Sequence, residues 1–267
     1  MKLIAESGST RTEWTLVEGK HIIQNAFSEG INPFFQNRRE ISRSIRLGIP
    51  EIFFRTKLDS VYYYGTGCNS DTKKSMLNAS LVAQFKTPIF VESNLLGAAR
   101  GLFINEPGIA CILGTGSNSC FYDGNEIVKN VNAGGYILGD EGGGAVLGKL
   151  FLADLLKGLV PTALAADFFE KYRISPHDAM DYVYNRPSPN LFLGTIAYFL
   201  GDHLNEEYVR DLWYNNLRNF FKRCICQYDY QDYPVRVIGS ITYAHQDALK
   251  EVAKEFGILI DRIEETS

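Results

Sequence analysis

The sequence predicts an α/β protein built from two similar lobes, and three observations carry that expectation. Short apolar strands alternate with amphipathic helices along the chain. A strand, a small-residue loop, a strand, a tight turn and a further strand occur twice, near residues 3–27 and 109–131. A closing strand and helix follow a long helical stretch. The echo is too short and too diverged for a solenoid period, so it reads as two lobes that each open with a meander. The first lobe is placed at residues 1–104 and the second at 105–267, the latter carrying a helical insertion. No low-complexity linker or charge run separates them, so the boundary near Phe103 to Gly108 is expected to be short.

In chain order, Leu3 to Ala5 is apolar and stops at Glu6-Ser7-Gly8-Ser9-Thr10. Glu13 to Val17 reads as the second strand. Glu18-Gly19-Lys20 then turns the chain into a third strand, His21 to Phe27. Asn37 to Ile49 has helical spacing, Ser60 to Tyr64 is a strand, and Asp71 to Phe85 a helix. Pro88 to Glu92 is a strand and Leu95 to Phe103 a helix. The second lobe starts with Gly108 to Leu113, which ends in the loop Gly114-Thr115-Gly116-Ser117-Asn118-Ser119. Ser119 to Tyr122 continues as a strand, turns at Asp123-Gly124-Asn125 and returns through Glu126 to Val131. Helices dominate from Glu141 to about Tyr230, punctuated by Pro161, Pro176 and Pro187. Val235 to Ile238 is a strand leading into Gly239-Ser240, followed by a helix over Ala244 to Phe256 that Gly257 ends. Ile258 to Ile260 is a candidate last strand.

Composition narrows the function. At 45% hydrophobic and 22% charged residues the chain has the balance of a globular domain with an ample core. A formal net charge of -4 supplies no basic field for nucleic acid or an anionic membrane, so neither is expected as a partner. The run Tyr62-Tyr63-Tyr64 therefore reads as strand packing, not base stacking. Five scattered cysteines make no disulfide framework, and Cys224-Ile225-Cys226 lacks zinc-ribbon spacing. Reduced thiols in a cytoplasmic protein are expected. No stretch reaches the ~20 apolar residues of a membrane span, and no apolar run follows Met1 as a signal peptide requires.

The loops Ser7-Gly8-Ser9-Thr10 and Gly114-Thr115-Gly116-Ser117 are candidate phosphate grips. Glycine lets backbone amides approach an anion, and hydroxyls add donors. Either loop alone is an ordinary connection. In matched places of two lobes, the pair suits the triphosphate tail of a nucleotide. Other phosphate motifs fit poorly. Gly143 to Lys149 has the Walker A glycine spacing, but Leu150 stands where a magnesium-binding hydroxyl belongs. Gly114-x-Gly116-x-x-Ser119 lacks the third glycine of a dinucleotide fingerprint and enters a strand.

Together these segments resemble the BadF/BadG/BcrA/BcrD-type ATPases, and among them the N-acetylglucosamine kinases. Glu6-Ser-Gly-Ser-Thr10-Arg-Thr is similar to the first phosphate motif, Gly114-Thr-Gly-Ser-Asn-Ser119 to the second, and Ile238-Gly-Ser240 to the adenosine motif. Gly134-Gly-Tyr-Ile-Leu-Gly-Asp-Glu-Gly-Gly-Gly144 resembles the sugar-kinase signature around Gly-Asp-Glu-Gly, and Gly30-Ile-Asn32-Pro the segment that brings an Asn to the sugar. The match runs over nearly the whole chain. It implies two ribonuclease-H-like lobes of the actin-like ATPase fold with a nucleotide cleft, ATP and Mg²⁺ as cofactors, and a small-molecule sugar substrate. A homodimer is a family-level expectation.

By that resemblance Ser9, Thr10, Gly116, Ser117 and Asn118 contact ATP phosphates, and Gly239 and Ser240 its adenosine. Glu6 is expected on the magnesium side through water. Asn32, Thr115, Asp140 and Glu141 are expected to hold sugar hydroxyls, Asp140 being also a candidate catalytic carboxylate. The competing explanation of Asp140-Glu141 is a helix first turn, where acids favour the dipole.

One departure matters. Related kinases carry an Asp where this sequence has Asn94, within Val91-Glu-Ser-Asn94-Leu-Leu-Gly-Ala-Ala99. The resemblance gives that Asp the role of general base, and an amide cannot accept a proton. The expected activity is ATP-dependent phosphorylation of an amino sugar at its 6-hydroxyl, possible impairment included. The alternative is a pseudokinase that binds without turnover. A lower one is a dehydratase-activator ATPase, whose iron–sulfur cluster would draw on Cys68 or Cys120. Relatives often continue into a final helix, so lobe closure is a further property in question.

Overall fold

The computed structural model describes residues 1–68 and 70–266. It divides into two compact units, Met1–Gly97 and a second from Ala98 onward, the division falling inside one helix, α4 (Asn94–Phe103). Each unit is built on a five-stranded mixed sheet.

In the first unit the strands are β1 (Lys2–Ser7), β2 (Arg11–Glu18), β3 (His21–Glu29), β4 (Ser60–Gly65) and β5 (Ile89–Ser93), in the order β3-β2-β1-β4-β5. β1, β2 and β3 form an antiparallel meander, while β4 and β5 run parallel to β1. Alternation decides which face is buried: Leu3 and Ala5 on β1, and Trp14 and Leu16 on β2, point into the core, whereas Ile4 stays exposed. Their cover is α1 (Arg38–Gly48) and α3 (Asp71–Phe85), with the short α2 (Ile52–Arg55) between. α1 starts where the sequence places it, because Asn37 accepts the amides of Arg39 and Glu40 while Glu40 returns a carboxylate to the Asn37 amide. α2, which carries buried Phe53, is too short for its periodicity to be seen.

The second unit repeats the plan with β6 (Gly108–Leu113), β7 (Ser117–Tyr122), β8 (Ile127–Val131), β9 (Val235–Ile238) and β10 (Ile260–Glu264), in the order β10-β9-β6-β7-β8. Read from the meander edge, both sheets have one topology, as expected of two ribonuclease-H-like lobes. Between β8 and β9 lie α5 (Gly135–Leu138), α6 (Gly144–Leu156), α7 (Thr162–Tyr172), α8 (Pro176–Tyr184), α9 (Pro189–Asp202) and α10 (Glu207–Arg223). α11 (Ser240–Ala244) and α12 (Gln246–Glu255) precede β10. The core gathers β6, α6, α9 and α10 around Phe151, Phe168, Phe199 and Phe220, all at most 1% exposed.

Four readings are corrected. Ser117 and Asn118 belong to β7, which starts two residues before Ser119, since Leu113 pairs with Ser117 and shortens the loop to Gly114–Gly116. The closing helix is α12, as expected, but a short α11 that the sequence reading did not include precedes it, the two meeting at His245. The last strand starts at Ile260, not Ile258, because Gly257 at φ +68° and buried Ile258 are spent on ending α12. Asp140 and Glu141 are not in a helix first turn, for α6 starts only at Gly144.

Candidate functional site

In the first unit the predicted residues lie at the carboxyl ends of the parallel strands, the edge where open α/β sheets bind ligands. Ser7, Gly65 and Ser93 are neighbours in register across β1, β4 and β5. Glu6 precedes the first of them and Asn94 follows the last, which separates their strands by about 10 Å at ordinary strand spacing. Asn94 opens α4 while Ser93 accepts the Leu96 amide at 3.2 Å as a cap, so a side chain at 94 stands at the mouth of this edge.

Between β1 and β2 the first loop is Gly8-Ser9-Thr10, closed by the Gly8 amide on the Arg11 carbonyl at 3.0 Å. The exit of β3 holds it. Gly30 donates to the Thr10 carbonyl at 3.0 Å, and a Cβ on Gly30 would lie 2.4 Å from the Ser9 carbonyl oxygen. The buried Ser7 hydroxyl ties β1 to the same segment, accepting the Ile31 amide at 3.0 Å and lying 2.7 Å from the Thr12 hydroxyl. Asn32 follows directly. Its side-chain oxygen accepts the Phe34 amide at 2.9 Å and packs against Gly67 beyond β4. The structure thus brings Glu6, Ser9, Thr10 and Asn32 to one loop system, with Asn94 along the same edge.

In the second unit three segments meet around the loop Gly114-Thr115-Gly116. The amides of Gly144 and Ala145, at the start of α6, donate to the carbonyls of Gly114 and Thr115 at 2.8 Å each. Gly239 comes so close to the end of β6 that a Cβ there would lie 2.0 Å from the Leu113 carbonyl oxygen; its φ of +152° suits glycine alone. Ser240 opens α11 with its hydroxyl 3.2 Å from that of Tyr198. Asp140 is the third arrival: a Cβ on Gly116 would meet its Oδ2 at 2.7 Å. The main chain at Ser117 and Gly135 favours its ionised form. Burial outweighs that effect and pushes the carboxyl up to about 6.

Thr115 packs against Gly194 of α9, where a Cβ would lie 2.9 Å from its methyl. Glu141 is ion-paired with Arg223 at 2.8 Å and lines a surface cavity of about 320 Å³ with Gly134, Leu138, Gly139 and Cys224. That volume is at the low end for a small-molecule pocket. Asn118 is drawn into the sheet, its side-chain oxygen accepting the Ser119 amide at 2.9 Å and the Asn130 amide at 3.0 Å.

Four contributors escape the sequence motifs. Asn216 of α10, 3% exposed, accepts the Gly142 amide at 3.0 Å and donates to the Gly143 carbonyl at 3.3 Å, so it fixes the glycine run. A lone polar residue among Val209, Trp213, Leu217 and Phe220 on the apolar face of α10 was the available signal. Arg223, Tyr198 and Thr242 carry no such signal; Thr242 donates to the carbonyls of Leu113 and Gly239.

The residues present fit magnesium held partly by a nucleotide. Among the described residues no group of three or more His, Cys, Asp and Glu could hold a metal alone. Glu6, half-buried at the end of β1, offers one carboxylate, and magnesium commonly takes one or two together with phosphates and water. Cys68 and Cys120 are buried thiols that burial pushes up to about 12, a poor state for a cluster ligand. No helix among the described residues is long and apolar enough to cross a membrane.

No family model and no curated protein matches the chain. Solved structures do. A protein from Porphyromonas gingivalis described as "Putative N-acetylglucosamine Kinase" is 40% identical with a TM-score of 0.94, the match covering 100% of this chain and 95% of that one. One of the same description from Chromobacterium violaceum is 16% identical, with a TM-score of 0.74 over 98% of this chain and 93% of its own. A ROK family glucokinase from Streptomyces griseus, in complex with glucose and AMPPNP, is 13% identical with a TM-score of 0.60 over 98% and 93%. The last two likenesses are of fold alone. Motifs, repeated sheet topology and the 40% identity over the full chain agree, and this chain belongs to the N-acetylglucosamine-kinase-like family of BadF/BadG/BcrA/BcrD-type ATPases, in the sugar kinase/actin/heat-shock ATPase superfamily.

Proposed function

We propose that this chain is an ATP-dependent sugar kinase that transfers the γ-phosphoryl group to the 6-hydroxyl of N-acetylglucosamine or a closely related amino sugar. The carrying observation is the matched placement of two glycine-and-hydroxyl loops, each following the first strand of a sheet of the same topology. The likeness to the Porphyromonas protein supplies the sugar class. In this reading Ser9, Thr10, Gly116, Ser117 and Asn118 serve the phosphates, and Gly239 and Ser240 the adenosine. Asn32, Thr115, Asp140 and Glu141 serve the sugar. Glu6 would hold magnesium through water, and the ion would neutralise charge on the phosphates.

The reaction forms a bond between the sugar oxygen and the γ-phosphorus, breaks the bond to ADP, and releases the hydroxyl proton to a base or, where none is placed, to solvent water. Asn94 stands at the place of the expected base and cannot take it. Positioning and charge stabilisation still favour transfer, so slow turnover is expected. The same residue favours a second reading, in which the protein binds sugar and nucleotide without turning them over.

One sample decides between them. Titration calorimetry with N-acetylglucosamine and with ATP–magnesium measures binding, and a coupled assay of ADP release follows on wild type and Asn94→Asp. Turnover by the wild type supports the kinase. Turnover by Asn94→Asp alone supports the binding protein. Absence of binding by either ligand would end both readings.

A further inference from the structure

The glycine run before α6 is gripped from behind by α10, and the grip reaches two candidate ligand segments of the second unit. Asn216 is 3% exposed and lies among Val209, Trp213, Leu217 and Phe220 on the buried face of α10. A buried amide is stable in such a place when both of its ends are satisfied. Its Oδ1 accepts the Gly142 amide at 3.0 Å, and its Nδ2 donates to the Gly143 carbonyl at 3.3 Å. A carboxylate has no hydrogen for that carbonyl, and an apolar side chain serves neither group, so asparagine matches this pair in kind. Gly142 lies close against the helix, where a Cβ would be 2.9 Å from the Phe220 Cβ. Two turns further along α10 the exposed Arg223 pairs with Glu141 at 2.8 Å. From Gly142 and Gly143 the contacts run two ways. The Gly143 amide donates to the Asp140 carbonyl at 2.9 Å and closes the turn that carries Asp140 and Glu141. The next two amides, of Gly144 and Ala145, hold the carbonyls of Gly114 and Thr115 at 2.8 Å each. A Cβ on Gly143 would itself lie 2.8 Å from the Gly116 carbonyl carbon. One buried side chain thus stands behind both the acidic pair and the second phosphate loop.

We propose that Asn216 is a positioning residue that couples sugar binding to nucleotide binding, holding the Gly142–Gly143 peptide so that the Asp140–Glu141 segment stays in register with the loop Gly114-Thr115-Gly116. This rests on the reading in which that segment serves the sugar and that loop the phosphates. While Asn216 holds the glycines, a ligand that orders one segment also orders the other. The second ligand then meets a smaller ordering cost, and each tightens the other by one shared factor. Without the clamp, the wide conformational freedom of glycine lets the two segments settle separately.

The test is calorimetric titration of AMPPNP–magnesium, a donor analogue that resists transfer, into wild type, Asn216→Leu and Asn216→Asp, with and without saturating N-acetylglucosamine. In the wild type the sugar should tighten AMPPNP by about fivefold or more, the lower end of ordinary coupling between two sites. The reverse titration must return the same factor. Both variants should bind each ligand alone, with the factor reduced towards one. A residue that only stabilised the fold would lower the melting temperature and leave the factor as in wild type, which would overturn the proposal. A wild type that binds the two ligands independently would overturn it as well. Asn216→Asp keeps the side-chain shape and carries the comparison if the leucine variant fails to fold. If neither folds, the wild type decides: N-acetylglucosamine alone should slow hydrogen exchange at the Gly144 and Ala145 amides, which face the phosphate loop, and unchanged exchange there would overturn the coupling. Binding of neither ligand to folded wild type would overturn the functional reading together with the proposal.

Discussion

At position 94 an amide stands where the resemblance to sugar kinases calls for a carboxylate, and in the proposed kinase that one functional group sets the expected rate. General-base assistance is worth roughly 10²–10⁴ in turnover. Asn94→Asp is therefore expected to raise kcat by about that factor in an ADP-release assay while the affinity for N-acetylglucosamine changes far less. A sugar affinity that moved as much as kcat would assign Asn94 to binding instead. Asp140 makes a different prediction. Its folded carboxyl is pushed up to about 6 from 3.8, so the folded protein holds the proton more tightly than the unfolded chain. Stability from this group is greatest in acid and falls as pH rises from 3.8 through about 6. At neutral pH the ionised form costs at most about 3 kcal/mol, at 1.36 kcal/mol for each pH unit between the two values. Asp140→Asn should then melt higher than wild type at pH 7.5, and the gap should close towards pH 4. A constant gap across that range would contradict the assignment. The Gly-Asp-Glu-Gly segment made Asp140 a candidate, but its approach to Gly116 was not legible, because φ +53° at a non-glycine residue is imposed by its main-chain partners.

The loops are shaped by the elements behind them. Gly8-Ser9-Thr10 has its geometry because β3 leaves the sheet through Gly30, whose Cα lies against the carbonyls of Ser9 and Gly8. A methyl there meets backbone, which has little freedom to yield. Gly30→Ala should cost about 1–3 kcal/mol, read as a lower urea midpoint, and should weaken ATP binding more than adenosine binding. A variant of unchanged stability would show that β3 does not brace the loop. Legibility follows length and capping. α3 begins and ends where periodicity puts it, and α1 shows its capping box in Asn37 and Glu40. α5, of four residues between glycines at φ +75° to +77° and Gly139, cannot show periodicity. The strand character of Ser117 and Asn118 was hidden for another reason. Small polar residues suggest a loop, but here antiparallel pairing with β6 holds them.

Across the whole molecule, ligand linkage offers a test independent of turnover. A nucleotide that binds only the folded protein adds about 2.7 kcal/mol at a hundredfold excess over Kd, which is several degrees in Tm for a chain of this size. ATP–magnesium and N-acetylglucosamine should each raise the melting temperature of wild type. Failure of both to do so at saturating concentration would contradict the binding assignments. The sequence by itself determined the repeated strand–loop–strand pattern, most helices and the residue types able to meet phosphate and sugar, because these depend on local spacing and side-chain chemistry. Only the tertiary structure decided which of those residues meet. Asp140 reaches Gly116, Asn216 clamps Gly142 and Gly143, and Gly239 rests on Leu113 through contacts between segments far apart in the chain. Packing and hydrogen bonding over such separations leave almost no local signature, and that is why this part of the site had to be seen in three dimensions.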